Sequence, residues 1–409
     1  MWWPFETFLV LGVLLLGQSA WLLGDGIRFL RLVRRRRSCP PGRYTPSATV
    51  VIPCKGVDAG FDANLECFLN QDYPDYQIVF VVSTSTDLAY HYLQKRLDSP
   101  VASGVIRKAR TSIVVAGLSD ERGEKVNNLL RGVAEVDRSA QVLVFADIDA
   151  APSPVWLRSL VAPLAESHTT VSTGYRWYLP GASLASRLRA AWDTSIATML
   201  GEHDRNFAWG GSMAIRAADF HKLNIAQGYW TSTLSDDLAM TRAVREAGGK
   251  IAFEPRCLVA SREESSPWGF FRWSTRQVIL TRIYAAHLWR LGFAVCLFNS
   301  ATFILGLAVL AMPSTMAYQR VGVASILLAV VLLGAGKGYI RTVVARELFP
   351  EELGGRGSCY WLLSPLVSWI SLANFVMSAF TRRIEWRGTE YELVSSDKVR
   401  VLRRASGRT

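Results

Sequence analysis

From Phe5 to Leu23 the chain reads FETFLVLGVLLLGQSAWLL, with Glu6 its one charged residue. A run of that length can cross a bilayer as a helix. RFLRLVRRRR follows, with six arginines and no acid. A signal peptide would carry its positive charge before the apolar run and small residues after it, so this order predicts a retained anchor over 1–27. The arginines predict that the anchor's C-terminal side, and the domain after it, face the cytosol, at the inner membrane in a bacterium. Apolar runs return at 291–312, 320–336 and 359–380, within an expected membrane block at 288–380. Four spans from an outside N-terminus would leave the C-terminus outside, whereas the basic tail at 381–409 favours the inside. That conflict marks one segment, 359–380 with its Pro365 being the candidate, as interfacial or re-entrant.

Between these blocks, over 41–287, the patterning changes to that of a globular domain. SATVVIP (47–53), YQIVFVV (76–82), TSIVVAG (111–117) and QVLVFADID (141–149) read as apolar strands. Helical patterns separate them near 62–70, 87–97 and 124–136. Strands alternating with helices predict an α/β domain with a mostly parallel sheet. Ligands of such sheets collect outside the carboxyl ends of the strands, so the polar residues there are the candidates for chemistry.

Half of the 409 residues are apolar and the net charge is +12, owed largely to juxtamembrane arginines. No groove-fitting basic element accompanies that charge, so it points to anionic headgroups and not to nucleic acid. The six cysteines (39, 54, 67, 257, 296, 359) form no CxxC pair and have no histidine at metal-ligand spacing.

Asp147 and Asp149 follow the fourth strand. Residues i and i+2 of an extended chain share a side, so both carboxylates are expected to face one ligand. Paired hard oxygens beside a phosphate suit Mg²⁺ or Mn²⁺. An Asp-x-Asp also arises by chance, and its placement directly after an apolar strand is what singles this one out. Asp87 closes the second strand, where it accepts hydrogen bonds from a base or ribose, or else caps the helix that follows. Lys125 opens the third helix: it meets a diphosphate there, or it is a solvated helix-face lysine. In WGGSMAIR (209–216) the glycines, Gly210 among them, permit close backbone approach, and Trp209 offers a flat wall. Asp236 and Asp237 start a helix, one expected as its cap and the other as a general base.

The order PCKG, a strand-terminal Asp, KVNNL, ADID, WGGSMAIR, SDD and FFRW resembles the family-2 glycosyltransferases, with the nearest likeness to the ceramide glucosyltransferase branch. It covers roughly Thr45 to Trp273, and WRGTEY (386–391) resembles a short element after the last membrane segment of related enzymes. The resemblance implies a GT-A-like, Rossmann-related domain flanked by N- and C-terminal transmembrane helices. It implies a UDP-sugar donor, a ceramide-like lipid acceptor in the bilayer and a Mg²⁺ or Mn²⁺ cofactor. Pro53, Lys55, Asp87, Lys125 and Asp147 would bind the nucleotide sugar, Asp87 at the uridine. Asp147 and Asp149 would hold the metal. Asp237 would be the base, with Trp209, Gly210 and Asp236 on the acceptor side. Arg272 and Trp273 match the end of the (Gln/Arg)-x-x-Arg-Trp motif, whose first position here is Gly269, so that either the role is lost or a nearby residue such as Arg276 or Gln277 takes it. Trp268, Phe270 and Phe271 read as packing or interfacial residues.

Rival readings are a polysaccharide synthase, a transferase acting on a hopanoid or diacylglycerol, and an inactive membrane nucleotide-binding protein. About four candidate spans are few for a polymer channel. A transporter would need polar sites inside its spans, which offer little beyond Asn299, Ser300 and Ser371.

Overall fold

The computed structural model describes residues 3–98 and 109–404. Residues 1–2 of the expected anchor and 405–409 of the expected tail lie outside the described residues. The chain divides into two compact units: Arg34–Trp177 with Leu200–Ser261 and Arg382–Thr409, and Met1–Val33 with Tyr178–Met199 and Arg262–Thr381. Both are discontinuous in sequence, unlike the contiguous segments expected.

The first unit is built on seven strands: β1 (Ala48–Cys54), β2 (Tyr76–Val82), β3 (Arg110–Val115), β4 (Val142–Ala146), β5 (Thr169–Tyr178), β6 (Ser212–Arg216) and β7 (Lys250–Ser261). Their order in the sheet is β3-β2-β1-β4-β6-β5-β7. β1 runs parallel to β2 and β4, and β2 to β3, through helices at Phe61–Leu69, Leu88–Asp98 and Glu124–Ala134. β6 is antiparallel to both β4 and β5. The sheet is thus mixed and mostly parallel, as the alternation of strand and helix predicts.

β1, β2 and β4 read as unbroken apolar runs because both of their faces are buried. Val50, Ile52, Ile78, Phe80 and Val144 pack with Leu65, Phe68, Trp156 and Leu160. Their neighbours in sequence, Val51, Val79, Val81, Leu143 and Phe145, pack with Val126, Leu129, Trp230, Met240 and Val244. Gly132 lets its helix lie directly on the sheet: a Cβ there would come within 2.4 Å of the Val51 side chain and 2.8 Å of Val81.

Within the stretch expected as a separate basic tail, 381–409, residues 383–404 form a three-stranded meander of this unit: β8 (Arg383–Trp386), β9 (Thr389–Ser395) and β10 (Lys398–Arg404). Ile384, Tyr391, Leu393 and Val399 bury one face of it. Its charges pair with the unit, Arg242 with Asp397 at 2.5 Å and Arg404 with Asp120 at 2.7 Å.

The second unit is helical. Trp3–Ser38, Ala286–Ala311 and Ala317–Leu348 are long and apolar enough to cross a membrane. The short 320–336 run therefore belongs to a helix of 32 residues. Pro350–Leu362 and Ser364–Phe380 form a pair bent by 73°, which could act as one broken span or a re-entrant loop. This break falls in the segment singled out from its Pro365. Small residues bring the helices close, with the Gly12 Cβ position 3.0 Å from Ile326 and that of Gly306 2.6 Å from Phe8. Side-chain bonds add to this, including Trp289 Nε1 to Ser378 Oγ at 2.8 Å and Ser274 Oγ to Asn374 Oδ1 at 3.2 Å.

Candidate active site

Asp147 and Asp149 lie just past the end of β4, in a turn closed by the Ala150 amide donating to the Asp147 carbonyl at 3.1 Å. Strand alternation therefore does not align them, as the sequence reading supposed. Arg176 of β5 does. Its guanidinium meets Asp149 with two nitrogens, at 2.6 and 3.1 Å, and Asp147 at 3.3 Å. Trp209 forms a face for this arginine, whose guanidinium carbon lies 5.3 Å from the ring centre. Burial alone would raise the Asp149 carboxyl, but Arg176, with Arg387 and Lys125, overrides it and holds the group down to about 2. Sequence reasoning missed Arg176. Its one available signal was a single charge in the otherwise uncharged strand TTVSTGYRWY.

Lys125 is not a solvated helix-face lysine. Its ammonium lies 2.8 Å from Asp147 Oδ1 and 3.2 Å from Asp236 Oδ2, and its side chain is only 16% exposed. Burial works to lower its pKa, yet Asp147, Asp236 and Asp237 outweigh this and keep the group charged. Asp236 is 2% exposed. Its burial drives the carboxyl upward, Lys125 offsets part of that, and Asp237 and Asp147 add repulsion, leaving it at about 7. Gly210 makes this crowding possible: a Cβ there would sit 2.1 Å from Asp236 Oδ2 and 2.8 Å from the Lys125 ammonium.

Neither aspartate of SDD is the helix cap. Ser235 is, accepting from the Leu238 amide while its backbone is extended. Asp237 is held by the Gly210 amide at 3.2 Å, Ser235 Oγ at 2.5 Å and the Leu238 amide at 2.8 Å. These bonds fix the carboxylate at the first turn of the helix.

Beside this cluster, Lys55 follows β1 and pairs with Glu124 at 2.6 Å, and Glu124 also accepts from Ser83 Oγ at 2.7 Å. Pro53 is half-buried in β1 opposite Val81. Asp87 caps the helix after β2 by accepting from the Ala89 amide at 2.9 Å, and the same oxygen takes the Gly56 amide at 2.8 Å. The cap does not preclude a ligand, because its second oxygen makes neither of these bonds. Tyr391 and Arg387 of the C-terminal meander reach the same loops. The Glu124 amide donates to Tyr391 Oη at 3.3 Å, and Arg387 donates to the Lys55 carbonyl at 3.1 Å.

Asp147 and Asp149 offer hard oxygens of the kind Mg²⁺ or Mn²⁺ prefers. Among the described residues no set of three acidic, histidine or cysteine side chains forms a protein-only cage. These two carboxylates would suit a metal completed by water and phosphate oxygens, in exchange for part of their present bonding to Arg176 and Lys125.

Arg272 and Trp273 belong to the helical unit, on the helix Pro267–Tyr284 that Ser266 caps through the Gly269 amide at 3.0 Å. Arg272 is exposed, whereas Trp273 is half-buried. Its ring meets Tyr178 and Trp192 edge-on at 5.4 and 5.5 Å. Gln277, one expected replacement for the motif's first position, donates back to the Trp273 carbonyl at 3.4 Å. A cation does stand against Trp273, and it is Arg189. Its guanidinium lies 4.3 Å from the ring centres of both Trp273 and Tyr178, and 2.8 Å from Glu263. Phe270 is buried, and Trp268 stacks on Phe271 while staying exposed.

Among solved structures, the chain is similar to mannosyltransferase PcManGT from Pyrobaculum calidifontis in complex with GDP-Man and Mn²⁺. The identity is 17% over 90% of this chain and 97% of that one, with a TM-score of 0.44. It is similar to glucosyl-3-phosphoglycerate synthase from Mycobacterium tuberculosis in complex with phosphoglyceric acid, at 17% identity over 58% of this chain and 77% of that one, with a TM-score of 0.35. GalNAc-T7 with UDP, GalNAc and Mn²⁺ matches at 14% identity over 58% of this chain and 48% of that one, with a TM-score of 0.36. The family model for glycosyl transferase family 21 matches residues 19–399, nearly the whole length. The chain belongs to glycosyl transferase family 21.

Proposed function

We propose that this glycosyltransferase moves a sugar, glucose in the reading we favour, from a UDP-sugar to a hydroxyl of a membrane lipid such as ceramide, with inversion. One observation carries the reading: Lys125 gathers Asp147, Asp236 and, electrostatically, Asp237 beyond the carboxyl end of the sheet. A cation and carboxylates packed there suit the departure of a diphosphate and the removal of a proton. The helices long enough to cross a membrane supply the reason for a lipid acceptor.

Asp237 takes the proton of the acceptor hydroxyl as its oxygen attacks the anomeric carbon. The bond from that carbon to the diphosphate breaks, and the electron pair leaves with the nucleotide. Lys125 meets the charge that grows there. A single displacement inverts the carbon and needs no covalent nucleophile. Asp147 and Asp149 would hold Mg²⁺ or Mn²⁺, which when bound polarises and neutralises phosphate oxygens. Asp87 binds the uridine, and Pro53 and Lys55 line the donor. Trp209 faces the acceptor, with Gly210 and the buried Asp236 behind it on that side. The sequence resemblance assigns Arg272 and Trp273 to the leaving-group side. The arginines after the first anchor hold the catalytic residues on the cytosolic side.

The test is a screen of the full chain in detergent, with UDP-glucose, UDP-galactose and UDP-N-acetylglucosamine against ceramide, diacylglycerol and a hopanoid, read by mass spectrometry of the lipids. A hexosyl-ceramide that forms with Mg²⁺ or Mn²⁺ and is lost in EDTA supports the reading. Product on another lipid alone moves the acceptor, and undiminished product in EDTA removes the metal.

A further inference from the structure

We propose that Arg387, at the tip of the β8–β9 hairpin, is a diphosphate-binding residue, so that the C-terminal meander is a wall of the donor site. The inference rests on the nucleotide-sugar reading above and deepens it.

The turn itself is the first observation. Arg387 and Gly388 have φ of 44° and 78°, so both residues of the two-residue loop are left-handed. Asparagine, aspartate or glycine suits the first of these positions, and a long side chain is disfavoured there. Arginine therefore costs the hairpin stability, and local turn chemistry does not account for it.

Its reach is the second. One guanidinium nitrogen donates to the Lys55 carbonyl at 3.1 Å and to Asp58 at 3.2 Å, and the other lies 3.8 Å from Asp149. Lys55 follows β1 and Asp149 follows β4, two adjacent parallel strands. The guanidinium thus bridges two carboxyl ends, where an α/β sheet takes its ligand.

The third is that its present partners hold it weakly. Asp149 already has a two-pronged bond from Arg176, so the longer contact to Arg387 is surplus. The Asp58 pair is solvent-exposed, with side chains 40% and 62% accessible, and pairs of that kind contribute little. A half-free planar fork beside Lys55 and Asp149 is suited to two phosphate oxygens. The hairpin is placed by other contacts: Tyr391 on the Glu124 amide, Arg242 with Asp397, and Arg404 with Asp120. Losing the Arg387 side chain should therefore leave the tip where it is.

The test uses Arg387→Asn, which suits the turn better than arginine, with Arg387→Lys as a second variant. Calorimetry on the full chain in detergent compares UDP with UMP, once in EDTA and once in Mg²⁺. The expected result is a loss in UDP affinity of about tenfold or more, with UMP affinity within about twofold of wild type. The thermal midpoint should be unchanged or higher, and Arg387→Lys should be intermediate. If UDP and UMP weaken together, or neither weakens, or the midpoint falls while the UDP-to-UMP ratio holds, Arg387 is a structural strap and the inference is overturned. A wild-type chain that does not prefer UDP to UMP overturns the donor reading itself, and this inference with it.

Discussion

Replacing Lys125 by methionine removes the ammonium and keeps most of the side chain's bulk. The ammonium lies 2.8 Å from Asp147 and 3.2 Å from Asp236, whose side chains are 26% and 2% exposed. Breaking a buried ion pair by deleting one partner costs about 3–5 kcal/mol, and water at the partly open Asp147 places this site near the lower end, at about 3 kcal/mol. The loss should depend on pH through Asp236. Its folded-state value of about 7 lies above the ordinary 3.8, and it rises further once Lys125 no longer stabilises the charged form. At pH 5.5 Asp236 takes up a proton, the orphaned charge disappears, and only the weaker cost at Asp147 remains. At pH 8 Asp236 is charged in the wild type, so the variant must leave that charge unpaired or protonate it, and the larger cost returns. Thermal unfolding followed by tryptophan fluorescence, with about 2–4 °C expected per kcal/mol in a unit of this size, should show a fall of about 6–10 °C at pH 8. The fall at pH 5.5 should be about half as large. In a double-mutant cycle, Lys125→Met should cost much less on an Asp236→Asn background. Equal losses at both pH values, or additive losses in the cycle, would refute the coupling.

Three further outcomes follow from the same geometry. Asp237→Asn keeps one acceptor oxygen for Ser235 Oγ and the Leu238 amide, gives up the bond from the Gly210 amide and cannot take a proton; kcat should fall about 10²–10⁴-fold with UDP affinity within about twofold, and unchanged turnover would remove the base assignment. Asp236→Asn should gain stability relative to wild type as pH rises from 4 to 7. The raised carboxyl contributes stability below 3.8 that is lost as the pH climbs through about 7, and the amide has no such loss; a flat difference across that window would contradict it. Gly132→Ala pushes a Cβ to 2.4 Å from Val51 and should destabilise the sheet unit by about 1–3 kcal/mol, measured by thermal midpoint.

Much of this could be read from residues in order, and the parts that could not share a physical reason. β1, β2 and β4 are buried on both faces, so their apolar runs stand out. β5 and β7 carry threonine, arginine and glutamate, and their burial is set by strands distant in sequence. The aspartates after β4 were visible from their place beyond a strand. Arg176, which aligns them, was not, because only the antiparallel pairing of β5 with β6 and of β6 with β4 brings it within reach. The β8–β10 meander was legible in part. Ile384, Tyr391 and Leu393 alternate with polar neighbours, but the dense basic charge masked that period. Lys125 illustrates the limit of local reasoning: on its own helix it is an ordinary first-turn lysine. Its burial comes from Asp236 and Gly210, about a hundred positions away.

The most direct test of the account is the anomeric configuration of the lipid product. Purified chain in ceramide-containing bilayers, given UDP-glucose labelled at the anomeric carbon, should yield a β-linked glucosyl lipid by NMR, with none above background from Asp237→Asn. An α-linked product, or free glucose with no labelled lipid under any of the donor and acceptor combinations, would contradict it.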